Sequence, residues 1–164
     1  EEANWLTAGD AAPRTLYVKR NVLNGEAILA WAEAQGFQNT LPASELHVTI
    51  AYSRTPVDWM KVGESWDDKV EVAAGGPRLM DRLGAAGDAT VLLFASSRLS
   101  WRHEEMKRAG ASWDWPEYQP HITITFDPDA PDLAGVAPYQ GKIELGPEVF
   151  EEIDDGWKAR VTGA

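Results

Sequence analysis

The chain has 164 residues, 44% of them apolar, which is enough for one compact core and close to the usual size of a single domain. Lys and Arg number 15 against 26 Asp and Glu, a net charge of −11 that repels polyanions and argues against long nucleic acid as the main ligand. Cysteine is absent, which removes disulfides, thiolate metal sites and cysteine nucleophiles, and no run nears the roughly 18 uninterrupted apolar residues of a membrane span.

A small phosphate ester stays compatible with this charge, because it needs only a local positive site. The expectation is a soluble, unexported chain acting in a reducing cytoplasm. Residues 1–14 begin with Glu instead of Met and are rich in Ala, Pro and charge, so they read as a linker or disordered start. Residues 15–164 read as the domain.

In chain order, residues 15–20 (TLYVKR) predict a strand. Asn24 then stands as a helix N-cap before Glu26 and the apolar positions Ala27, Ile28 and Trp31, and Gly36 ends that helix. After the turn-rich NTLPAS, residues 46–53 (LHVTIAYS) predict a second strand. Less regular patterning follows: a turn at Pro56, the aromatic and acidic run 59–68, a short strand at 69–72, and Gly75-Gly76-Pro77, read as a turn without chemistry before a further strand. Residues 90–95, a helix over 100–109 stopped by Gly110, and the strand 121–126 (HITITF) complete a second unit. Strand signals recur at 142–145 and 157–161, separated by the acidic turn EEIDDG.

The second unit repeats the first. Laying LYVKR-helix-HVTIAY over LLFAS-helix-HITITF aligns His47 with His121, and the separation from Tyr17 to His47 (30) nearly equals that from Leu93 to His121 (28). Strand-helix-strand units are common, but matched His-x-Thr strand ends make duplication the better account. The fold expectation is α+β and bilobal, with two antiparallel sheets around a central groove and flanking helices.

Alternation along a strand places His47 with Thr49 on one face and His121 with Thr123 on one face, with Val48 and Ile122 turned into the core. About a pseudo-twofold axis the two pairs would meet across one groove. A neutral imidazole takes a proton from an attacking hydroxyl and a protonated one supplies the departing oxygen, which is the equipment for cleaving a phosphodiester. The threonine hydroxyls donate to the non-bridging oxygens, and no metal is required. A single His-x-Thr would be read as a chance strand tripeptide, but two of only three histidines lie in H-[VI]-T-I-x-[YF].

These paired H-x-T motifs resemble those of the two-histidine (2H) phosphoesterase superfamily. Within it, LPASELHVTIAYSRTPVDW and SWDWPEYQPHITITF look like the phage anti-CBASS phosphodiesterase family. The resemblance implies a cyclic di- or trinucleotide substrate, opened by attack of a ribose 2′-hydroxyl on the adjacent 3′-5′ bond. It implies action in the bacterial host cytoplasm against CBASS antiphage signalling, and a domain fused to or part of a larger phage protein. It also implies that Tyr17 and Lys19, on one face of the first strand, line the groove.

Among the eight tryptophans, Trp113 and Trp157 are the candidates for stacking on a base. Glu148, Glu151 and Glu152 are candidates for a base edge or ribose hydroxyl, against the alternative of an exposed acidic turn. His103, in the charged run WRHEEMKRAG, is expected on the surface. The rival functions are a 2′,3′-cyclic phosphodiesterase acting on linear RNA ends, a cyclic-nucleotide-binding module without turnover, and, more weakly, a metal site using His47, His121 and Asp127.

Overall fold

The computed structural model describes residues 12–84 and 87–154. Its strands are β1 (Arg14–Val22), β2 (His47–Val57), β3 (Val70–Val72), β4 (Arg78–Leu83), β5 (Ala89–Phe94), β6 (His121–Thr125) and β7 (Ile143–Glu151). The helices are α1 (Gly25–Ala34), the single turn α2 (Trp59–Val62) and α3 (Ser97–Arg108), with short 3₁₀ turns at Ala43–Glu45 and Leu133–Gly135.

The strands form one antiparallel sheet in the order β3-β7-β1-β2-β6-β5-β4. Its centre is the junction of two strand-helix-strand units, β1-α1-β2 and β5-α3-β6, joined by the pairing of Val48 with Ile122. The two expected sheets are thus two halves meeting edge to edge. Chain geometry requires the whole to curl. Strands β3 and β4 lie at opposite ends of the order, about 29 Å apart if flat, yet the link from Val72 to Arg78 reaches at most about 22 Å. Arg78 secures that closure by donating to the carbonyls of Ala73, Tyr139 and Gly141 at 2.9–3.0 Å.

One face of the sheet is apolar. Leu16, Val18, Val48, Ile50, Ile122 and Ile124 are buried there with Ile28 and Ala32 of α1 and Leu99 and Met106 of α3 in a single core. Val48 and Ile122 are fully buried, so the alternation expected of both His-x-Thr strands holds. The two longer helices, α1 and α3, each end at a left-handed glycine, Gly36 (φ 98°) and Gly110 (φ 113°), where a side chain would be strained.

Several local expectations are corrected. Strand β2 runs through Pro56 to Val57 instead of turning there. Past Ser53 it has left the part of the sheet that β6 covers, and a missing N–H is harmless at such a position. Asn24 sits at the N-cap of α1, but its side chain makes no cap bond. It bonds the Lys142 carbonyl (2.8 Å) and the Glu144 amide (3.0 Å), tying the helix to the start of β7. Strand β7 continues through Glu151, so Glu148 and Glu151 belong to a strand, while Glu152 follows it outside the sheet and is exposed. The strand expected at 157–161 lies outside the described residues.

Candidate active site

The antiparallel pairing of Val48 with Ile122 sets the geometry of both motifs. Carried one residue either way, it puts His47 opposite Thr123 and Thr49 opposite His121, all four on the face away from the core. Residues directly opposite have Cβ atoms about 4.5–5.5 Å apart and diagonal neighbours about 7–8 Å, so the two histidines are diagonal neighbours with a threonine opposite each.

Both imidazoles are oriented in the same way. Nδ1 of His47 donates to the Glu45 carbonyl at 2.8 Å, and Nδ1 of His121 donates to the Gln119 carbonyl at 2.9 Å. A carbonyl only accepts, so each Nδ1 carries the proton and each Nε2 of the neutral ring is left with its lone pair. Burial lowers the pKa of both rings, opposed in each by this bond to the carbonyl two residues upstream. The Lys19 ammonium and His121 lower His47 further.

The surroundings break the pseudo-symmetry. In β1, Tyr17 and Lys19 occupy the groove face, with Lys19 beside Thr49 in the register. The Tyr17 phenol meets Nε2 of His47 at 2.8 Å. Burial pushes the phenol well above its ordinary range, so it stays a proton donor. On the other side, the neighbours of His121 and Thr123 in β5 are Leu93 and Val91. His47 therefore sits in a polar, cationic half and His121 in an apolar half. Lys19 also pairs with Glu151 (3.7 Å), which brings Glu151 to the same edge of the groove.

Two further candidates go elsewhere. Glu148 is paired with Arg20 across the β1–β7 register, one residue out of step with Lys19, so its side chain lies on the opposite, buried face. There it accepts two bonds from Arg102 (2.8 and 2.9 Å) and one from the Trp66 amide, while Arg20 lies 3.9 Å away. It is a structural anchor, away from the groove. Trp113 spends its indole N–H on the Glu117 carbonyl and packs edge-on against His103, Trp115 and Tyr118. Trp157 lies outside the described residues.

His103 is a correction. It is 2% exposed rather than on the surface, because the helical repeat puts it on the same side of α3 as Leu99 and Met106. Tyr52 is a groove residue that alternation from His47 misses. Val18 pairs with Ala51 but Lys19 with Thr49, so β2 carries an extra residue at Ile50. That bulge brings Tyr52 onto the groove face, edge-on to Tyr17 at 5.4 Å. Arg54 stands over the Tyr52 ring and pairs with Asp114 at 2.8 Å. Among the described residues no three His, Asp or Glu side chains gather to hold a metal, and Asp127 instead accepts from Asn39 and the Asp129 amide.

Paired His-x-Thr strands in a curled sheet of duplicated units define the two-histidine phosphoesterase fold, and solved structures agree. A structure titled a phosphoesterase superposes with a TM-score of 0.57 at 16% identity, covering 88% of this chain and 91% of its own. E. coli LigT complexed with 3′-AMP superposes with a TM-score of 0.54 at 14% identity, covering 87% and 96%.

The family model described as Anti-CBASS protein Acb1 matches residues 14–160, and the chain belongs to that family. Relatives of that name are 59% identical over 153 residues in Caulobacter sp. (strain RHG1) and 57% over 155 residues in Sphingomonas paeninsulae. Each match covers 92% of this chain but 24% and 25% of the relative, so the chain spans about a quarter of their length. The relative from Enterobacteria phage T4 is 34% identical over 107 residues, covering 65% of this chain and 63% of its own.

Proposed function

We propose that the chain is a metal-independent phosphodiesterase that opens 3′-5′ bonds of cyclic di- and trinucleotides and so counteracts CBASS signalling in the host cytoplasm. The observation that carries this reading is the quartet of His47, Thr49, His121 and Thr123 on one sheet face, with both imidazoles held in the same tautomer by the carbonyl two residues upstream. Membership of the anti-CBASS family supports the substrate class. Among the described residues no helix is long and apolar enough to cross a membrane.

The asymmetry of the site supports distinct roles. The Tyr17 phenol can donate to Nε2 of His47 only when that nitrogen is unprotonated, and the Lys19 charge disfavours a second proton there. His47 is then the base that removes the ribose 2′-hydroxyl proton, once the substrate takes the place of Tyr17 at Nε2. The 2′-oxygen bonds to phosphorus, the bond to the 5′-oxygen breaks, and protonated His121 gives that oxygen its proton. Thr49, Thr123 and Lys19 stabilise the charge on the non-bridging oxygens. The product is a linear oligonucleotide ending in a 2′,3′-cyclic phosphate, which water opens with the two histidines exchanging roles. Glu151, at the edge of the groove, is placed to meet a ribose hydroxyl or base edge.

The deciding experiment incubates the protein with a panel of cyclic di- and trinucleotides and linear 2′,3′-cyclic phosphate ends, in excess chelator, and resolves products by chromatography. Linearised cyclic substrates support the proposal. Turnover of linear ends alone would replace it with an RNA-end phosphodiesterase, binding without products would make the chain a sequestering module, and complete loss in chelator would sink the metal-free mechanism.

A further inference from the structure

The bulge in β2 that turns Tyr52 to the groove lies beside the first His-x-Thr motif, at the successive backbone carbonyls of Thr49 and Ile50. A buried carbonyl needs a donor. Both are supplied by side chains from the second unit. The Tyr118 hydroxyl donates to the Thr49 carbonyl at 2.7 Å, and Nδ1–H of the buried His103 donates to the Ile50 carbonyl at 2.7 Å. The two donor rings are stacked on each other, centroids 4.2 Å apart and planes within 11°, and Trp113 closes their edge.

This pair bridges the halves of the site. Tyr118 lies three residues before His121, on the chain that enters the second motif, and its bond ends on the backbone of Thr49 in the first. Directly paired positions join β2 to β6 at Val48 and Ile122, and beyond them side chains do the fastening. Ser112 Oγ accepts from the Thr55 amide (3.2 Å), the Ser112 amide donates to Ser53 Oγ (2.9 Å), and Arg54 pairs with Asp114. Residues 112–118 are thus stitched along the outer half of β2, with the stacked pair nearest the histidines.

We propose that His103 and Tyr118 are positioning residues for the reaction: by holding the Thr49 and Ile50 carbonyls they keep the bulge formed, and so set the distance between the two His-Thr pairs and the placement of Tyr17 and Tyr52. They act through Thr49 and touch no substrate. The proposal rests on the two-motif reading of the site given above. Reaction geometry is sensitive to displacements of about 1 Å, whereas overall affinity for a ligand bound by several groups is less so.

The test uses Tyr118→Phe, His103→Leu and His103→Asn. The last replaces imidazole Nδ1–H by an amide N–H that can reach the same carbonyl. With a cyclic oligonucleotide that the unaltered protein turns over, Tyr118→Phe and His103→Leu are expected to lower kcat about tenfold with KM within about twofold. His103→Asn is expected to recover most of the kcat that His103→Leu loses. Equal losses in His103→Asn and His103→Leu, or losses confined to KM, would overturn the proposal. If His103→Leu does not fold, Tyr118→Phe carries the same comparison because it removes one oxygen and keeps the ring.

Amide hydrogen exchange supplies a readout independent of substrate. The proposal requires faster exchange in residues 49–52 of Tyr118→Phe, with β4 and β5 unchanged, and unchanged exchange across 49–52 would overturn it. Should the unaltered protein turn over no cyclic nucleotide, the proposed function fails and this exchange measurement alone decides the positioning role.

Discussion

The phenol of Tyr17 donates its proton to Nε2 of His47 across 2.8 Å, while the opposite ring nitrogen donates to the Glu45 carbonyl. The imidazole is therefore held neutral with its lone pair toward the groove. Tyr17→Phe removes the donor that stabilises this neutral form, so the His47 pKa rises. The acid limb of the kcat/KM profile, which reports the free protein, should move to higher pH by up to about one unit, the range a single hydrogen bond supplies. An unchanged limb would separate Tyr17 from the proton inventory of His47.

In the proposed reaction the two histidines divide acid and base work, so neither substitutes for the other. His47→Ala and His121→Ala should each lower kcat by about 10²–10⁴-fold while binding, followed by calorimetry, persists. A variant that keeps near-normal turnover would remove its histidine from the mechanism.

The pH optimum follows from burial. Both imidazoles titrate below their ordinary value of about 6.5, and the proposed reaction needs one protonated and one neutral. The rate should therefore peak on the acid side of 6.5 and fall toward alkaline pH as His121 loses its proton. Rates at saturating substrate, measured from pH 4.5 to 8.5, test this directly.

The same shifts govern stability. His47, His103 and His121 all have folded pKa values below the unfolded one, so the unfolded chain binds more protons in that interval. Their contribution is complete above about 6.5 and is lost as pH falls through the folded values. Urea unfolding midpoints should drop between pH 7 and 5, and less steeply in His103→Asn.

Glu148 makes its contribution to stability. Its side chain is wholly inaccessible and faces Arg102 and Arg20, so Glu148→Gln removes the buried charge they share and leaves them only the more exposed Glu105 and Asp68. Breaking such a pair costs about 3–5 kcal/mol, to be read from urea unfolding. The folded fraction should keep its turnover, because Glu148 lies across the sheet from the histidines.

What the sequence determined by itself is local and periodic. Two-residue alternation placed His47 with Thr49 and His121 with Thr123, and sent Val48 and Ile122 into the core. The repeat of strand, helix and His-x-Thr strand foretold the two halves, and Tyr17 and Lys19 followed from the same alternation in β1. These features depend on neighbours within one strand, where backbone geometry alone fixes direction.

What the tertiary structure decided depends on pairings between distant segments. Register put Glu148 one step out of phase with Lys19 and so on the buried face. A bulge against β1 brought Tyr52 to the groove, where strict alternation from His47 would have turned it to the other side. The charged run around His103 read as surface, yet the helix turned that ring onto the Ile50 carbonyl. The quartet itself exists because Val48 meets Ile122: each motif is written in its own strand, but the gap between the imidazoles belongs to a pairing of residues 74 positions apart.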